Sequence, residues 1–342
     1  MSRYFPSLVG NESTRDRLGR AIDSGRLPHA LLIGGDRGSG KFTLALSVAA
    51  ALVCENKGAG ALPCGTCPAC KKMLSRSHTD LTVLERDPKK ATVGVSQIKE
   101  LRPAMYLSPT EAPCKVYIIR EADKMTPEAQ NALLIILEEP PRDVYIILLA
   151  TSLDRILTTI RSRAQYIPMQ RFTRDELDTH LTGLSREARA MRSTSHASYS
   201  EILTAAGGSI GRALTLLSPK GAAECREERE GALSVINALG AGSSFADLHS
   251  ALLSISGERA ELSLEIECII NALRDMTALR QSAGAELLFF SSETEAKEAL
   301  ERVGGRRLLK LYELFLDTHE RLSKNAAVGS LLTALAAKIK NI

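Results

Sequence analysis

Two short stretches of this chain carry residue types that handle phosphate, and each departs from its pattern at the position that should hold a metal. The first is Gly34-Gly-Asp-Arg-Gly-Ser-Gly-Lys-Phe-Thr43, which follows the apolar run Leu31-Leu-Ile33. Against G-x-x-x-x-G-K-[ST], Gly35, Gly40 and Lys41 match, while the hydroxyl position is Phe42. Gly35, Gly38 and Gly40 permit a backbone nest whose N–H groups face phosphates, a following helix N-terminus adds favourable partial charge, and Lys41 supplies a point charge. Phe42 offers no oxygen to Mg²⁺. Thr43, the nearest hydroxyl, lies about 100° further round a helix.

The second stretch is Lys115-Val-Tyr-Ile-Ile-Arg-Glu-Ala-Asp-Lys-Met125, an apolar strand ending where an acidic pair is expected. The first acid would hold Mg²⁺ and the second, here Glu121, would polarise the attacking water. Arg120 stands at the first position, and a fixed positive charge there opposes a divalent cation. The chain is therefore expected to keep an ATPase fold without full ATPase chemistry. ATP or ADP could still be cradled, whereas Mg²⁺ would be poorly held. A guanidinium beside that cleft is expected to pair with phosphate or with Glu121.

A third group is Cys54, Cys64, Cys67 and Cys70, spaced C-x9-C-x2-C-x2-C in a stretch rich in Gly, Pro and Lys. Such thiolates can converge on one ion, and four sulfurs complete a tetrahedral, structural Zn²⁺ site with no open position. Cys114, Cys225 and Cys268 are isolated in apolar or helical surroundings and read as packing residues.

The elements that must position these groups fall into regions of different texture. Up to residue 170, strand candidates Ala30–Ile33, Asp80–Leu84, Val116–Ile119, Tyr145–Ala150 and Tyr166–Pro168 alternate with helical stretches, the signature of a parallel α/β sheet. From Thr173 the texture is helical, opening on the capping pattern Thr173-Arg-Asp-Glu176. Glu187–Ser200 lacks a clear period and reads as a loop, and Ser218-Pro-Lys-Gly221 reads as a linker. Three domains are expected: 1–170 with an insertion at 54–70, a helical segment 171–218, and an all-α segment 222–342. The 342 residues carry a formal charge of +4, with 44% hydrophobic and 25% charged residues. That charge is too mild to imply nucleic-acid binding by itself. No segment approaches 18 uninterrupted apolar residues, and the N-terminus lacks the apolar run of a signal peptide, so a soluble cytoplasmic protein without a membrane role is expected.

Beyond these motifs, Gly25-Arg-Leu-Pro-His-Ala30, Ala129-Gln-Asn-Ala-Leu-Leu-Ile-Ile-Leu-Glu-Glu-Pro-Pro141, Leu149-Ala-Thr-Ser152 and Ile160-Arg-Ser-Arg163 resemble bacterial DNA polymerase III clamp loader subunits. The resemblance covers residues 5 to 217, and the last third is similar in length and texture alone. It implies an α/β P-loop AAA+ domain with a zinc-binding insertion, a small helical lid and an all-α collar that joins subunits. The motif order is common to the motor (gamma/tau) and delta-prime branches, and loss of two Mg²⁺-binding groups points to the delta-prime branch. On that branch the chain would be a largely ATPase-defective stator of a pentamer, beside motor and delta subunits. Through that assembly it would help load the sliding clamp on primer-template DNA in replication. Arg163 falls where the family has an arginine reaching into a neighbour's ATP site. Thr151 matches the sensor-1 position, Val9 and Gly10 the segment covering adenine, and Gly211 the place of a sensor-2 arginine. Asn131 and Glu138 are expected to cap or to lie at an interface. The alternative is an active gamma/tau-type motor, an enzyme in its own right; a metal-bearing adaptor outside replication is a further alternative.

Overall fold

A computed structural model describes residues 3–58, 60–87, 90, 92–194, 196–240, 242–255, 259–281, 287–323 and 327–342. The N-terminal part runs α1 (Glu12–Asp23), β1 (Ala30–Gly34), α2 (Lys41–Leu52), α3 (Pro68–Leu74), β2 (Leu81–Leu84), α4 (Val95–Met105), β3 (Lys115–Ile119), α5 (Pro127–Glu138), β4 (Val144–Ala150), α6 (Thr158–Arg161) and β5 (Gln165–Pro168). All strand pairs are parallel, in the order β2-β3-β4-β1-β5. The register sets Leu31 beside Ile147 and Ile118 beside Ile147, so alternate residues from three strands share a face.

That alternation builds two cores. Leu31, Ile33, Val116, Ile118, Ile147 and Leu149 point into one with α2, while Leu32, Tyr117, Ile119, Ile146 and Leu148 point into the other with α5. A sheet covered on both faces needs continuous apolar strands, which is why these segments read as runs rather than alternations. Helix α2 is buried from Leu44 through Leu52, as its lack of a polar face requires. Each expected strand is found, with ends shifted by no more than one residue.

Asp80, just before β2, is buried and acts as a clamp on the loop that leads into β3. Its carboxylate accepts N–H groups from Thr110 (2.7 Å), Glu111 (2.8 Å) and Ala112 (2.9 Å). Burial pushes this carboxyl up, but the three donors outweigh it and hold it below the ordinary value. A depressed carboxyl contributes stability that is complete above its unfolded value and is lost as pH falls through the folded one. Asp80→Asn is expected to cost about 1.5–3 kcal/mol, the range for hydrogen bonds to a charged group. Urea midpoints at pH 7 check it, and the gap to the unaltered chain should narrow on acidification. An unchanged midpoint at pH 7 would rule the clamp out.

The remaining helices are α7 (Arg174–Leu184), α8 (Arg186–Thr194), α9 (His196–Ala205), α10 (Ile210–Leu216), α11 (Pro219–Ala238), α12 (Phe245–Ser254), α13 (Arg259–Gln281), α14 (Glu293–Val303), α15 (Leu308–Ser323) and α16 (Val328–Lys340). The expected cap of α7 is present: Glu176 N–H donates to Thr173 Oγ1 (3.3 Å) and Glu176 Oε2 accepts Thr173 N–H (2.9 Å). Two expectations are corrected. Glu187–Ser200 is not a loop but most of α8 and the first half of α9, apart from position 195, which lies outside the described residues. Ser185 caps α8 by accepting Ala188 N–H, and the Tyr199 hydroxyl donates to Asp178 at 2.9 Å. Ser218-Pro-Lys-Gly221 is not a linker but the start of α11, with Ser218 accepting Gly221 N–H (3.1 Å) and Pro219 at the first helical position.

Chain contacts divide the molecule into two units, one running to Glu176 and including Ser209–Gly211, the other comprising Leu177–Gly208 and Arg212–Ile342. The second unit has its own core, built on α11, α12, α13, α15 and α16 around residues such as Ile266, Phe290, Leu311 and Phe315. Within it Arg212 pairs with Glu228 at 2.9 Å, tying α10 to α11. Buried Asp275 accepts the N–H groups of Leu288, Phe289 and Phe290. Among the described residues no helix is long and apolar enough to cross a membrane.

Candidate functional site

Strand β1 delivers the phosphate loop, and α2 starts at Lys41 directly from Gly40. Gly38 (φ 77°) and Gly40 (φ 87°) take the left-handed backbone that a side chain would strain. Lys41 Nζ donates to the carbonyls of Gly35 (2.6 Å) and Asp36 (2.7 Å), so the ammonium closes onto its own loop. Burial lowers its pKa, partly offset by the charges of Asp123 and Asp36. The Ser39 hydroxyl in this loop is buried and has no hydrogen-bond partner among the described residues.

The chain's own residues crowd the loop. Met169 backs Gly35, where a Cβ would come within 2.8 Å of the Met169 Cβ. Gly211 N–H donates to Gly38 O (3.0 Å), Ser209 Oγ to Arg37 O (3.0 Å), and a Cβ on Gly211 would lie 2.8 Å from Gly38 Cα. The expected place of a sensor-2 arginine therefore has no room for a side chain while the loop stays where it is. Gly10 abuts the Phe172 ring, and Asn11 Oδ1 accepts Gln170 N–H (2.7 Å), fixing that segment beside Val9 and Gly10.

The two departures from the phosphate-site patterns touch one another. The Arg120 guanidinium lies 4.6 Å from the Phe42 ring centre and donates to Glu85 Oε1 at 2.7 Å. Arg76 lies 4.8 Å from the same ring and 3.5 Å from the same carboxylate. The expected pairing of Arg120 with Glu121 is thus corrected: its partners are Glu85 and Phe42. Glu121, in a left-handed backbone (φ 51°), is held by Lys124 (2.6 Å) and Arg86 (3.1 Å). Burial pushes its carboxyl up, yet these two cations outweigh burial and hold it below the ordinary value. Within the second stretch, the acid whose charge reaches Lys41 is Asp123, which accepts N–H groups from Thr151 (3.2 Å) and Ser152 (3.4 Å) at the end of β4.

Arg163 follows α6 on the surface. Its Nη2 meets Glu138 Oε1 at 2.8 Å, and its Nη1 donates to Thr159 O at 3.0 Å. Elsewhere in this unit, the sulfurs of Cys54, Cys64, Cys67 and Cys70 all lie within 4.8 Å of one another, with Cys64 and Cys70 at 3.9 Å. Tetrahedral thiolates at about 2.3 Å from Zn²⁺ would stand about 3.8 Å apart, so the four cysteines fit one such ion. The Cys67 N–H and the Thr66 hydroxyl pull Cys64 down to about 5, toward the thiolate a metal takes.

Residues 10–173 match the family model described as DNA polymerase III, delta subunit. Bacillus subtilis DNA polymerase III subunit delta' is 38% identical over 150 residues, 44% of this chain and 44% of that protein. Subunit gamma/tau of Mycobacterium bovis is 32% identical over 213 residues, 62% of this chain and 36% of that protein. These residues are similar to the gamma, tau and delta-prime group of DNA polymerase III subunits. Subunit gamma of Buchnera aphidicola is 34% identical over 215 residues, 63% of this chain and 58% of its own length. The chain thus spans about a third to three fifths of these relatives. A gamma-subunit-related structure from Thermotoga maritima aligns over 95% of this chain and 98% of its own at 16% identity and a TM-score of 0.42, a likeness too loose to add weight.

Gly35, Gly38, Gly40 and Lys41 share one loop, and Thr151 stands at the end of the central strand β4 with its side chain exposed. Thr43 is not brought to the loop: the helix begins at Lys41, and its turn carries Thr43 to an exposed position. Asp123, Glu85 and Arg76 were missed as a network with the loop. A large ring at a metal-side position calls for something to cover it, and that was the available signal.

Proposed function

We propose that this chain is a delta-prime-type subunit of a DNA polymerase III clamp loader, a largely ATPase-defective AAA+ stator that offers Arg163 to a neighbouring motor subunit. The observation that carries the proposal is the contact of Phe42 with Arg120. A pattern that should supply a hydroxyl and a carboxylate to Mg²⁺ instead supplies a ring and a cation, joined to each other and to Glu85. Losing the oxygens while keeping the loop removes the metal that positions and neutralises a transferring phosphoryl group. Lys41 and the loop glycines could still hold ATP or ADP phosphates. In this reading 1–170 is the nucleotide-binding domain, 171–218 a lid and 222–342 a collar, with gamma/tau and delta subunits as partners in a pentamer. The sliding clamp and primer-template DNA are engaged through that assembly. Zn²⁺ on the four cysteines is structural.

The runner-up is an active gamma/tau-type motor, favoured by the intact Lys41 and by Asp123, whose charge reaches it. Steady-state ATP hydrolysis by the isolated chain decides between the two. Turnover is expected to be negligible, while a rate of about 1 s⁻¹, the low end for working phosphoryl-transfer enzymes, would overturn the stator reading. Copurification with the gamma/tau and delta subunits of the same genome tests the assembly.

A further inference from the structure

Glu138 stands where a helix least favours an acid. It is the last residue of α5, Glu139 caps that helix, and no basic residue occupies its last turn. The C-terminal end of a helix carries negative partial charge, so a carboxylate there is unfavourable unless a cation answers it. The cation is Arg163, brought alongside by α6 and bonded at 2.8 Å. The same guanidinium donates through Nη1 to Thr159 O (3.0 Å) and meets Ser162 Oγ at 3.4 Å. Together these contacts engage Nη1 and Nη2. Among the described residues Nε–H meets no partner, and with Nη2 it forms one side of the guanidinium fork. The side chains are 36% (Arg163) and 50% (Glu138) exposed, so the pair lies at the surface.

We propose that Glu138 is a positioning residue for Arg163: with Thr159 it fixes the plane of the guanidinium so that the Nε side of the fork is presented outward to a phosphate of a neighbouring subunit. This rests on the trans-acting role of Arg163 proposed above. An exposed arginine carries many rotamers, and fixing the fork before docking removes part of the ordering cost from the reactive complex. Glu138 touches no substrate and acts only through Arg163.

The test is made on the full chain reconstituted with the gamma/tau-type and delta subunits of the same genome, measuring ATP hydrolysis at saturating and limiting ATP. Glu138→Ala is expected to lower kcat by about two- to fivefold, the span a partly exposed ion pair can carry, with KM little changed. Glu138→Gln, which keeps an oxygen acceptor, is expected to restore at least half of that loss. In an Arg163→Ala background Glu138→Ala should cost nothing more, since a residue acting through another has no effect once that one is gone. The thermal midpoint of Glu138→Ala alone should hold or rise slightly, because an acid leaves a helix C-terminus. A merely structural role would lower that midpoint. Equal losses in the presence and absence of Arg163, or a full-strength Glu138→Ala complex beside a crippled Arg163→Ala one, overturns the proposal. If Arg163→Ala itself leaves hydrolysis untouched, the trans-arginine reading falls and this inference falls with it.

Discussion

On the proposed trans-acting role of Arg163, Arg163→Ala is expected to slow ATP cleavage at a neighbouring motor site by a factor of order 10³, the lower end for an arginine that completes a phosphoryl-transfer site in trans. The reason lies in what the side chain does at home. Its contacts to Glu138 and Thr159 are on an exposed face, and such surface pairs contribute about 0–1 kcal/mol, so stability alone gives little account of this residue. The variant should therefore fold and assemble with a thermal midpoint close to that of the unaltered chain. Charge on the transferring oxygens peaks in the transition state, so the loss should fall on kcat and leave ATP binding nearly unchanged. Single-turnover phosphate release in the reconstituted assembly isolates the affected site from motor sites that face other subunits. A single-turnover rate equal to that of the unaltered assembly would show that Arg163 is an ordinary surface arginine.

The sheet was legible because its physics is local. Strands buried on two faces must be apolar at every position, and Leu31-Leu-Ile33 and Tyr145–Ala150 meet that demand without help from distant residues. The phosphate loop was legible for a related reason, since glycines followed by a lysine at a strand-to-helix turn have few other uses. Segments decided by capping were read unevenly. Thr173 to Glu176 forms the expected reciprocal cap, whereas Ser218-Pro219, the same kind of helix start, reads as a linker because Pro and Gly lie close together. In Glu187–Ser200 the Ser, Thr and His content hides a short helical pair whose buried side chains include Ala188 and Tyr199. The candidate site divides in the same way. Phe42 and Arg120 are 78 positions apart, and each alone reads as a loss. Only the three-dimensional contact shows that they compensate one another, with Glu85 and Arg76 completing a joint at the metal side of the loop. The segment Ser209–Gly211 is a similar case, because the need for glycine at 211 comes from Gly38, which no local pattern announces.

One tightly held Zn²⁺ per chain is expected on Cys54, Cys64, Cys67 and Cys70. Without a dication the four sulfurs are an awkward group to bring together. Burial pushes the Cys54 and Cys70 thiols up, while the N–H of Cys67 and the Thr66 hydroxyl pull Cys64 down, so a metal-free centre mixes thiols with a thiolate. A dication lets all four ionise at once, and structural Zn²⁺ sites of this kind contribute apparent binding energies of order 10 kcal/mol. The metal's influence should be local. The centre lies around α3, whose Cys70 and Met73 are buried against the face of the sheet that also packs α2, and that core is filled mostly by residues outside the insertion. Elemental analysis of freshly purified protein should find zinc at one equivalent, and Cys67→Ser should lose it. Hydrogen exchange should then rise through the cysteine segment and α3, while β1, β3 and β4 remain protected and the far-ultraviolet circular dichroism changes little. Zinc-free protein with unchanged exchange in that segment would show that the four thiols are held by packing alone. Collapse of protection in the central strands on zinc loss would show instead that the insertion supports the sheet. In that case the phosphate loop, carried between β1 and α2, would depend on zinc as well.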